Sequence, residues 1–134
     1  MEKQLPFTYV LTASKSDIDH LNHVNNVVYV RWVQEVAAVH WDAMASEELK
    51  TKYAWMLIRH EIDYLSQAYE GDVIVGETWV GETKGATFER FVELRKGDKV
   101  LTKSKMIWCL LDSQTLKPKR VDSMMIELLK KVRA

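Results

Sequence analysis

The residues best suited to chemistry in this 134-residue chain lie between Asp17 and Asn26. The segment reads D-I-D-H-L-N-H-V-N-N, so it holds two aspartates, two histidines and three asparagines. An aspartate such as Asp19 can attack a carbonyl carbon directly, or it can deprotonate a water molecule that does so. His23, four residues later, can orient that water or protonate a leaving group. Both side chains also have structural interpretations: Asp19 can close an Asx-turn on its own backbone, and His23 can tie the loop to the next element.

The segment from Asn26 to Met44 predicts the helix that positions this cluster. It runs for nearly twenty residues without Gly or Pro, which is too long for a single strand. Asn25 or Asn26 can cap its start. One narrow polar stripe at helical spacing is formed by Arg31, Gln34, Glu35, Ala38 and Asp42. Because the rest of the circumference is apolar, we expect a largely buried helix, whose first backbone N–H groups lack internal acceptors and carry the positive end of the dipole.

Composition limits the class of protein. The chain is 47% hydrophobic and 28% charged, which is typical of a single soluble globular domain spanning residues 1–134. Lys plus Arg and Asp plus Glu both total 19, so charge gives no reason to expect a nucleic-acid or membrane-surface partner. Cys109 is the only cysteine, so we expect no internal disulfide, a reducing compartment and a core role for this thiol. With no apolar targeting segment or membrane-spanning run, we expect a cytoplasmic protein.

Period-2 patterns and turn residues predict five strands around the long helix. The predicted strands are Phe7–Thr12, Tyr53–Tyr64, Val73–Val80, Thr87–Arg95 and Val100–Leu111. Residues 13–25 are expected to be irregular, the polar run Ser46–Lys52 to close the long helix, and Ser123–Arg133 to form a short terminal helix. In the second strand we expect the set from Ala54 to Tyr64 to face inward, with Arg59, Glu61 and Asp63 on the wetter face. One long helix against a five-stranded, largely antiparallel sheet is an α+β domain.

The central motif D-I-D-H-L-N-H-V-N-N-V-V-Y-V-R-W resembles the signature of hotdog-fold thioesterases, both the acyl-CoA type related to 4-hydroxybenzoyl-CoA thioesterase and the acyl-ACP type. The matching positions are Asp17, Asp19, His23, Val24, Asn25, Asn26, Tyr29 and Trp32. The later segments H-E-I-D-Y-L-S-Q-A-Y-E-G-D-V and L-D-S-Q-T-L-K-P-K-R resemble the family's second strand and closing segment, so the resemblance covers nearly the whole chain.

The resemblance implies a five-stranded antiparallel sheet wrapped around one central helix, and hydrolysis of a fatty or aromatic acyl thioester. Asp19 would act as nucleophile or general base, His23 would assist, and the backbone N–H near Asn26 would polarise the thioester oxygen. Asp17 would act mainly as a hydrogen-bond acceptor that fixes the loop. Asn22 stands one place away from the Asp-x-Asn-x-His triplet of plant acyl-ACP enzymes, because Leu21 takes the middle position. This departure favours acyl-CoA over an acyl-ACP carrier of that kind.

The resemblance also suggests how the rest of the substrate is held. The segment E-T-K-G-A-T-F resembles the family's CoA-contacting turn, which points to Lys84 and Arg90 as phosphate ligands. A second basic cluster, formed by Lys117, Lys119 and Arg120, is an alternative, and solvated lysines would look the same in sequence. No cofactor is expected beyond the CoA of the substrate. No metal site is expected either, because His20 and His23 have no second ligand cluster.

Self-association is a further expectation. In the hotdog family the second strand pairs with its copy, so we expect a homodimer, or a tetramer built from two dimers. Glu35, on the polar stripe of the helix, would then face the seam between subunits. Two other functions stay open. One is a hotdog dehydratase or hydratase, although its Gly-Asp-x-Asn-Pro-type motif is absent. The other is a non-catalytic acyl-CoA binder.

Overall fold

The computed structural model describes residues 6–130. The strands are β1 (Phe7–Thr12), β2 (Tyr53–Tyr64), β3 (Val73–Lys84), β4 (Thr87–Lys96) and β5 (Lys99–Asp112). The helices are α1 (Asn26–Met44), α2 (Glu47–Lys52) and α3 (Ser123–Lys130), and a 3-10 turn spans Lys15–Asp17. The predicted end of α3 at Arg133 lies outside the described residues. None of the described helices is long and apolar enough to cross a membrane.

The five strands form one antiparallel sheet in the order β1-β3-β4-β5-β2. The connections β3-β4 and β4-β5 are tight turns containing Gly85 and Gly97, both with positive φ, a conformation that glycine adopts without steric cost. β1 and β2 therefore form the two edges. α1 lies across β1, β3 and β4, so the predicted α+β architecture is confirmed.

α1 begins where the sequence predicts. Asn25 is the N-cap, and its side-chain oxygen accepts from the Val27 N–H at 3.0 Å. The predicted polar stripe is exposed, whereas the opposite face is buried in the core. The buried members of that face are Val28, Tyr29, Trp32, Val33, Val36, Ala37 and His40. Gly76 of β3 lets the helix approach the sheet closely, because a Cβ there would collide with Val36.

The structure corrects the prediction for Ser46–Lys52. This run does not extend the end of α1, which stops with Ala45 as its C-cap. Ser46 instead caps a separate short helix, α2, by accepting from the Leu49 N–H at 3.2 Å. A serine followed by acidic residues is a pattern that starts a helix, so this polar run forms α2 instead of closing α1.

A β-bulge corrects the predicted facing of β2. Leu57 pairs with Trp108 and Arg59 pairs with Ile107, so Ile58 is the extra residue. One extra residue exchanges the two faces of a strand. Trp55 and Leu57 therefore pack inward before the bulge, whereas Met56 and Ile58, predicted to face inward, are 46% and 51% exposed.

Candidate active site at the start of helix α1

Asp17 organises the loop that leads into α1. Its carboxylate is buried and accepts from the Ser14 N–H at 2.9 Å and from Arg31 Nη2 at 2.6 Å. Its carbonyl oxygen accepts from the Asn25 N–H at 3.0 Å, which links the loop to the helix cap. Burial alone would raise the pKa of Asp17, but the hydrogen bonds from Ser14 and Arg31 outweigh burial and hold the pKa below its usual value. These contacts make Asp17 an ionised anchor of the loop.

Asp19 lies at the head of a tight turn. Its Oδ1 accepts from the Leu21 N–H at 2.9 Å, which is the Asx-turn that the sequence allowed. Its backbone N–H donates to the His23 carbonyl at 3.0 Å, so the two residues are held together. The second carboxylate oxygen, Oδ2, has no donor within residues 6–130. The turn thus uses one oxygen of Asp19 and leaves the other for a substrate or a water molecule.

Asn22 shapes the turn through its backbone. Its φ is 64°, a left-handed conformation that asparagine tolerates better than most non-glycine residues. Its N–H donates to the Asp19 carbonyl at 3.1 Å, and its side chain is exposed. The contacts of Asn22 are those of a turn former, and the exposed His20 lies in the same turn.

His23 is half-buried beside Asp19, and its ring orientation is set by the backbone. Nδ1 lies 3.1 Å from the Val24 carbonyl oxygen. Because a carbonyl can only accept, Nδ1 carries the hydrogen, and Nε2 of the neutral ring is left as an acceptor. His23 can therefore take up a proton at Nε2, and it can return that proton once it is charged.

The first backbone N–H groups of α1 are not all used. Val27 N–H donates to the Asn25 side chain and Val28 N–H donates to the Asn25 carbonyl at 2.9 Å. For the Asn26 N–H, the part of the chain that the structure describes provides no acceptor. An unsatisfied N–H at a helix start is a ready donor to a developing negative charge.

Two tyrosines, for which the sequence predicted no role, contact the start of α1 and the segment around Ala68. Tyr29 OH accepts from the Ala68 N–H at 2.8 Å, and the Ala68 carbonyl accepts from the Val24 N–H at 2.9 Å. Burial raises the pKa of Tyr29, so this hydroxyl stays neutral. Tyr64 OH lies 3.5 Å from the Asn26 carbonyl, and its ring meets that of Tyr29 edge to face. The sequence signals for these residues were indirect: Tyr29 occupies a matching position of the central motif, and Tyr64 lies in the segment that resembles the family's second strand.

Glu35 is not part of this cluster within one chain. It is exposed on α1, nine residues beyond Asn26, which is about 14 Å along the helix axis. Cys109 is buried in β5, as predicted. Within residues 6–130, no group of three His, Cys, Asp or Glu side chains is placed to hold a metal ion.

The structure corrects the expected role of Arg90. Its side chain does not join Lys84 at the surface; it is only 2% exposed and donates from Nη1 to Thr78 Oγ1 and toward His40 Nδ1, both at 2.9 Å. A guanidinium enclosed in this way cannot meet a CoA phosphate that lies in solvent beside Lys84. Side chains of β4 alternate between the two faces of the sheet, and Arg90 lies on the inward face while its neighbours in sequence face outward.

The two basic segments named from the sequence meet at one edge of the molecule. Lys84 is exposed at the end of β3, and the Val121 N–H donates to the Gly85 carbonyl at 2.9 Å. This bond sets Arg120 next to the β3-β4 turn. The sequence alternatives for phosphate binding, Lys84 and the cluster ending at Arg120, are therefore neighbours.

Lys84 and Arg120 form a basic edge of the molecule, and this basic edge is far from the start of α1 in the same chain. Tyr64 contacts the Asn26 carbonyl. It lies at the same level of the sheet as Gly76 of β3, because successive cross-strand pairs through β5 and β4 connect the two residues. Lys84 is eight residues further along β3, which is about 26 Å at the usual rise per residue. A single chain thus holds the carbonyl-polarising end and the basic edge at opposite ends of the sheet.

Comparisons with solved structures identify the architecture. A predicted thioesterase from Bacillus stearothermophilus superposes with a TM-score of 0.84 at 20% identity, covering 93% of this chain and 94% of that one. A 1,4-dihydroxy-2-naphthoyl-CoA thioesterase from Synechocystis has a TM-score of 0.79 at 14% identity, with 92% and 95% coverage. A Staphylococcus aureus protein solved in complex with CoA has a TM-score of 0.82 at 17% identity, with 96% and 84% coverage. At these identities the likeness establishes the hotdog fold.

The sequence itself matches no curated protein, but it does match a family model. The model of the Thioesterase-like superfamily covers residues 14–129, which include the Asp17–Asn26 loop, α1 and β2 to β5. The match and the fold agree with the resemblance carried by the central motif. This chain therefore belongs to the Thioesterase-like superfamily and has the hotdog fold.

Proposed function

We propose that this protein hydrolyses acyl thioesters and that acyl-CoA is its substrate class. The observation that supports the proposal is that one short segment carries both a helix N–H, at Asn26, and a carboxylate oxygen, on Asp19, that have no hydrogen-bond partner within residues 6–130. The first is a donor for the oxyanion of a tetrahedral intermediate, and the second is a nucleophile or a base. Because the chain belongs to the Thioesterase-like superfamily, we infer that the carbonyl it acts on is that of a thioester.

In the proposed reaction, the thioester oxygen accepts from the Asn26 N–H while the carbon is attacked. Asp19 Oδ2 either removes a proton from the attacking water or forms an acyl anhydride that water then hydrolyses. The carbon–sulfur bond breaks in both routes, and the CoA thiolate takes a proton, which a protonated His23 can donate from Nε2. Preorganised donors of this kind are worth about 3 kcal/mol each in other enzymes.

The preference for CoA over an acyl carrier protein rests on the basic edge. Lys84 and Arg120 lie next to one another and are exposed, as a nucleotide carrying phosphates requires. The Staphylococcus aureus structure with CoA shows that a protein of this fold can hold the nucleotide. An acyl-ACP substrate remains the alternative, and it would use the same Asp19.

We also propose that the working enzyme is a homodimer paired through β2, with a tetramer of two dimers as the larger assembly. β2 is a twelve-residue edge strand without proline, and it exposes Met56 and Ile58. Such an edge is a template for pairing with another copy. Antiparallel pairing about the middle of β2 would bring the Tyr64 end of one copy to the Tyr53 end of its partner. The end of the partner's sheet that carries the basic edge would then lie at the same end of the dimer as the start of α1.

A thiol-release assay over acyl-CoAs of graded chain length tests the function. Steady release of CoA supports the thioesterase. Hydration of an enoyl-CoA without thiol release would identify a hydratase, and saturable binding with neither reaction would identify a non-catalytic binder; both would refute the proposal. Repeating the assay with acyl-ACP separates the two carriers. Sedimentation at micromolar concentration tests the dimer, and a monomer there would contradict it.

A further inference from the structure

Among residues 6–130, one buried cation, Arg90, has no carboxylate partner. Arg90 of β4 is 2% exposed, and no Asp or Glu pairs with it in residues 6–130. Its Nη1 meets His40 Nδ1 of α1 and Thr78 Oγ1 of β3, each at 2.9 Å, and its guanidinium carbon lies 5.5 Å from the centre of the Phe88 ring. All three neighbours are uncharged acceptors or a ring face. Buried charges in proteins are normally paired, and within residues 6–130 no carboxylate pairs with this guanidinium.

The remaining donors of Arg90 are available. Nε and Nη2 have no acceptor among the described residues, because the side-chain bonds of Arg90 all come from Nη1. Burial lowers the pKa of Arg90 to about 10, which leaves the group charged at neutral pH. A planar guanidinium with two free donor atoms is suited to bidentate binding of a carboxylate.

Arg90 borders a cavity that provides room for such a group. The cavity has a volume of about 180 Å³, and it is lined by Gln34, Ala37, Ala38, Trp41, Trp55, Phe88, Arg90 and Trp108. A cavity of about 150 Å³ in another protein holds benzene, so one ring or a short alkyl group fits here. The buried Nε1 of Trp108 also lacks a hydrogen-bond partner in the described residues. The lining thus combines aromatic walls with unused donors.

We propose that this cavity binds a carboxylate carried on an aromatic ring or a short alkyl group, with Arg90 as the counter-ion. Two sources supply that chemistry. One is a free apolar acid. The other is the far end of a substrate acyl group that itself carries a carboxylate: Ala38 is twelve residues beyond Asn26, about 18 Å along α1, within reach of a long acyl chain. Only this second source rests on the proposed function.

Binding of phenylacetate, compared with the neutral 2-phenylethanol, tests the proposal. Three of the five tryptophans line the cavity, so tryptophan fluorescence of the full chain reports occupancy without any turnover. We expect saturable binding of phenylacetate, with a Kd at least about tenfold lower than that of the alcohol, because only the acid makes a charge-assisted hydrogen bond. Arg90→Met should remove this tenfold preference. Lys103→Met, which deletes one exposed cation of β5, should keep it.

A second pair of variants covers the case in which Arg90→Met does not fold. Ala38→Leu fills the cavity and leaves Arg90 in place, and Ala43→Leu adds the same atoms at an exposed position of α1 outside the cavity. We expect Ala38→Leu to abolish phenylacetate binding and Ala43→Leu to preserve it. Equal binding of acid and alcohol, or binding that survives Ala38→Leu, would overturn the proposal and leave Arg90 as a tie between α1 and the sheet.

Turnover separates the two sources. If the carboxylate belongs to the acyl group, phenylacetate should compete with acyl-CoA, and an ω-carboxyacyl-CoA should lose at least tenfold in kcat/KM in Arg90→Met while a plain acyl-CoA is unaffected. If the ligand is separate, phenylacetate binds without raising the KM of acyl-CoA. Phenylacetate binding in a protein that releases no thiol would refute the thioesterase and leave the cavity site standing.

Discussion

Replacing Asp19 with asparagine removes the proposed nucleophile or base with little disturbance to the loop. Asparagine keeps the Oδ1 that accepts from the Leu21 N–H at 2.9 Å, so the turn that presents residue 19 to the helix start is retained. The unengaged Oδ2 becomes an amide NH₂, which neither attacks a thioester nor accepts a proton. We expect the free energy of unfolding to change by no more than about 0.5 kcal/mol.

The catalytic loss should be large by comparison. Removal of a general acid or base costs typically about 10²- to 10⁴-fold in rate, and a 100-fold loss corresponds to about 2.7 kcal/mol of barrier. The measurement is thiol release from acyl-CoA under saturating and subsaturating conditions, with the Tm recorded on the same sample. A folded Asp19→Asn protein whose kcat stays within about tenfold of the unmodified value would refute the assignment.

Asp17→Asn is the matched control, since it makes the same chemical change two residues away. Asp17 is buried and bonded to the Ser14 N–H and to Arg31. An asparagine oxygen can replace only one of these acceptor atoms, which costs about 1–2 kcal/mol; the Arg31 end is 60% exposed, so its charge adds little. We expect the Tm to fall by about 4–8 °C and kcat per folded molecule to be kept. Lost turnover at an unchanged Tm would show that Asp17, too, takes part in the chemistry.

Three further outcomes follow from the contacts. Lys84→Ala should raise the KM for acyl-CoA several-fold at constant kcat. The effect should weaken at high salt and should be absent for a pantetheine thioester that lacks the nucleotide. If the substitution changes the KM of the two substrates equally, a phosphate contact is excluded. The pKa of Asp17 is lowered in the folded state, so its contribution to stability is fully present above the ordinary value of 3.8 and is lost as pH falls through the lower folded value. Measuring the Tm at decreasing pH should show this loss in the unmodified protein and a smaller loss in Asp17→Asn. Gly76→Ala should lower the free energy of unfolding by about 1–3 kcal/mol, because the new Cβ collides with Val36; urea denaturation measures it, and an unchanged midpoint would show that α1 can shift away.

Much of the secondary structure could be predicted from local sequence. The bounds of β1, α1 and β2 agree with the predicted Phe7–Thr12, Asn26–Met44 and Tyr53–Tyr64, since each is bordered by a cap, a turn or a change of hydrophobic period. β3 continues to Lys84, four residues beyond the predicted end at Val80. An irregular register between Val80 and Thr83 lets the strand pass Gly81, and cross-strand register cannot be read from one strand alone.

The structure of the loop before α1 also depends mainly on neighbouring residues in the sequence. An Asx-turn at Asp19, an N-cap at Asn25 and an anchoring role for Asp17 involve neighbours within a few residues, apart from the ion pair to Arg31. Side-chain-to-backbone bonds of this kind depend on residue type and short spacing. The same segment therefore gave both the candidate site and the family resemblance.

What only the tertiary structure decided is where distant residues meet. The sequence suggested Arg90 as a phosphate ligand together with Lys84, yet pairing in the sheet turns its side chain inward to His40, which precedes it by 50 residues. The bulge at Ile58 exchanged the faces of β2, because the partner strand β5 sets the register. Composition and spacing along one chain determine which elements form and how they are capped. The side of the sheet that each residue faces, and hence which charge is buried beside a cavity, depends on the pairing of strands far apart in sequence.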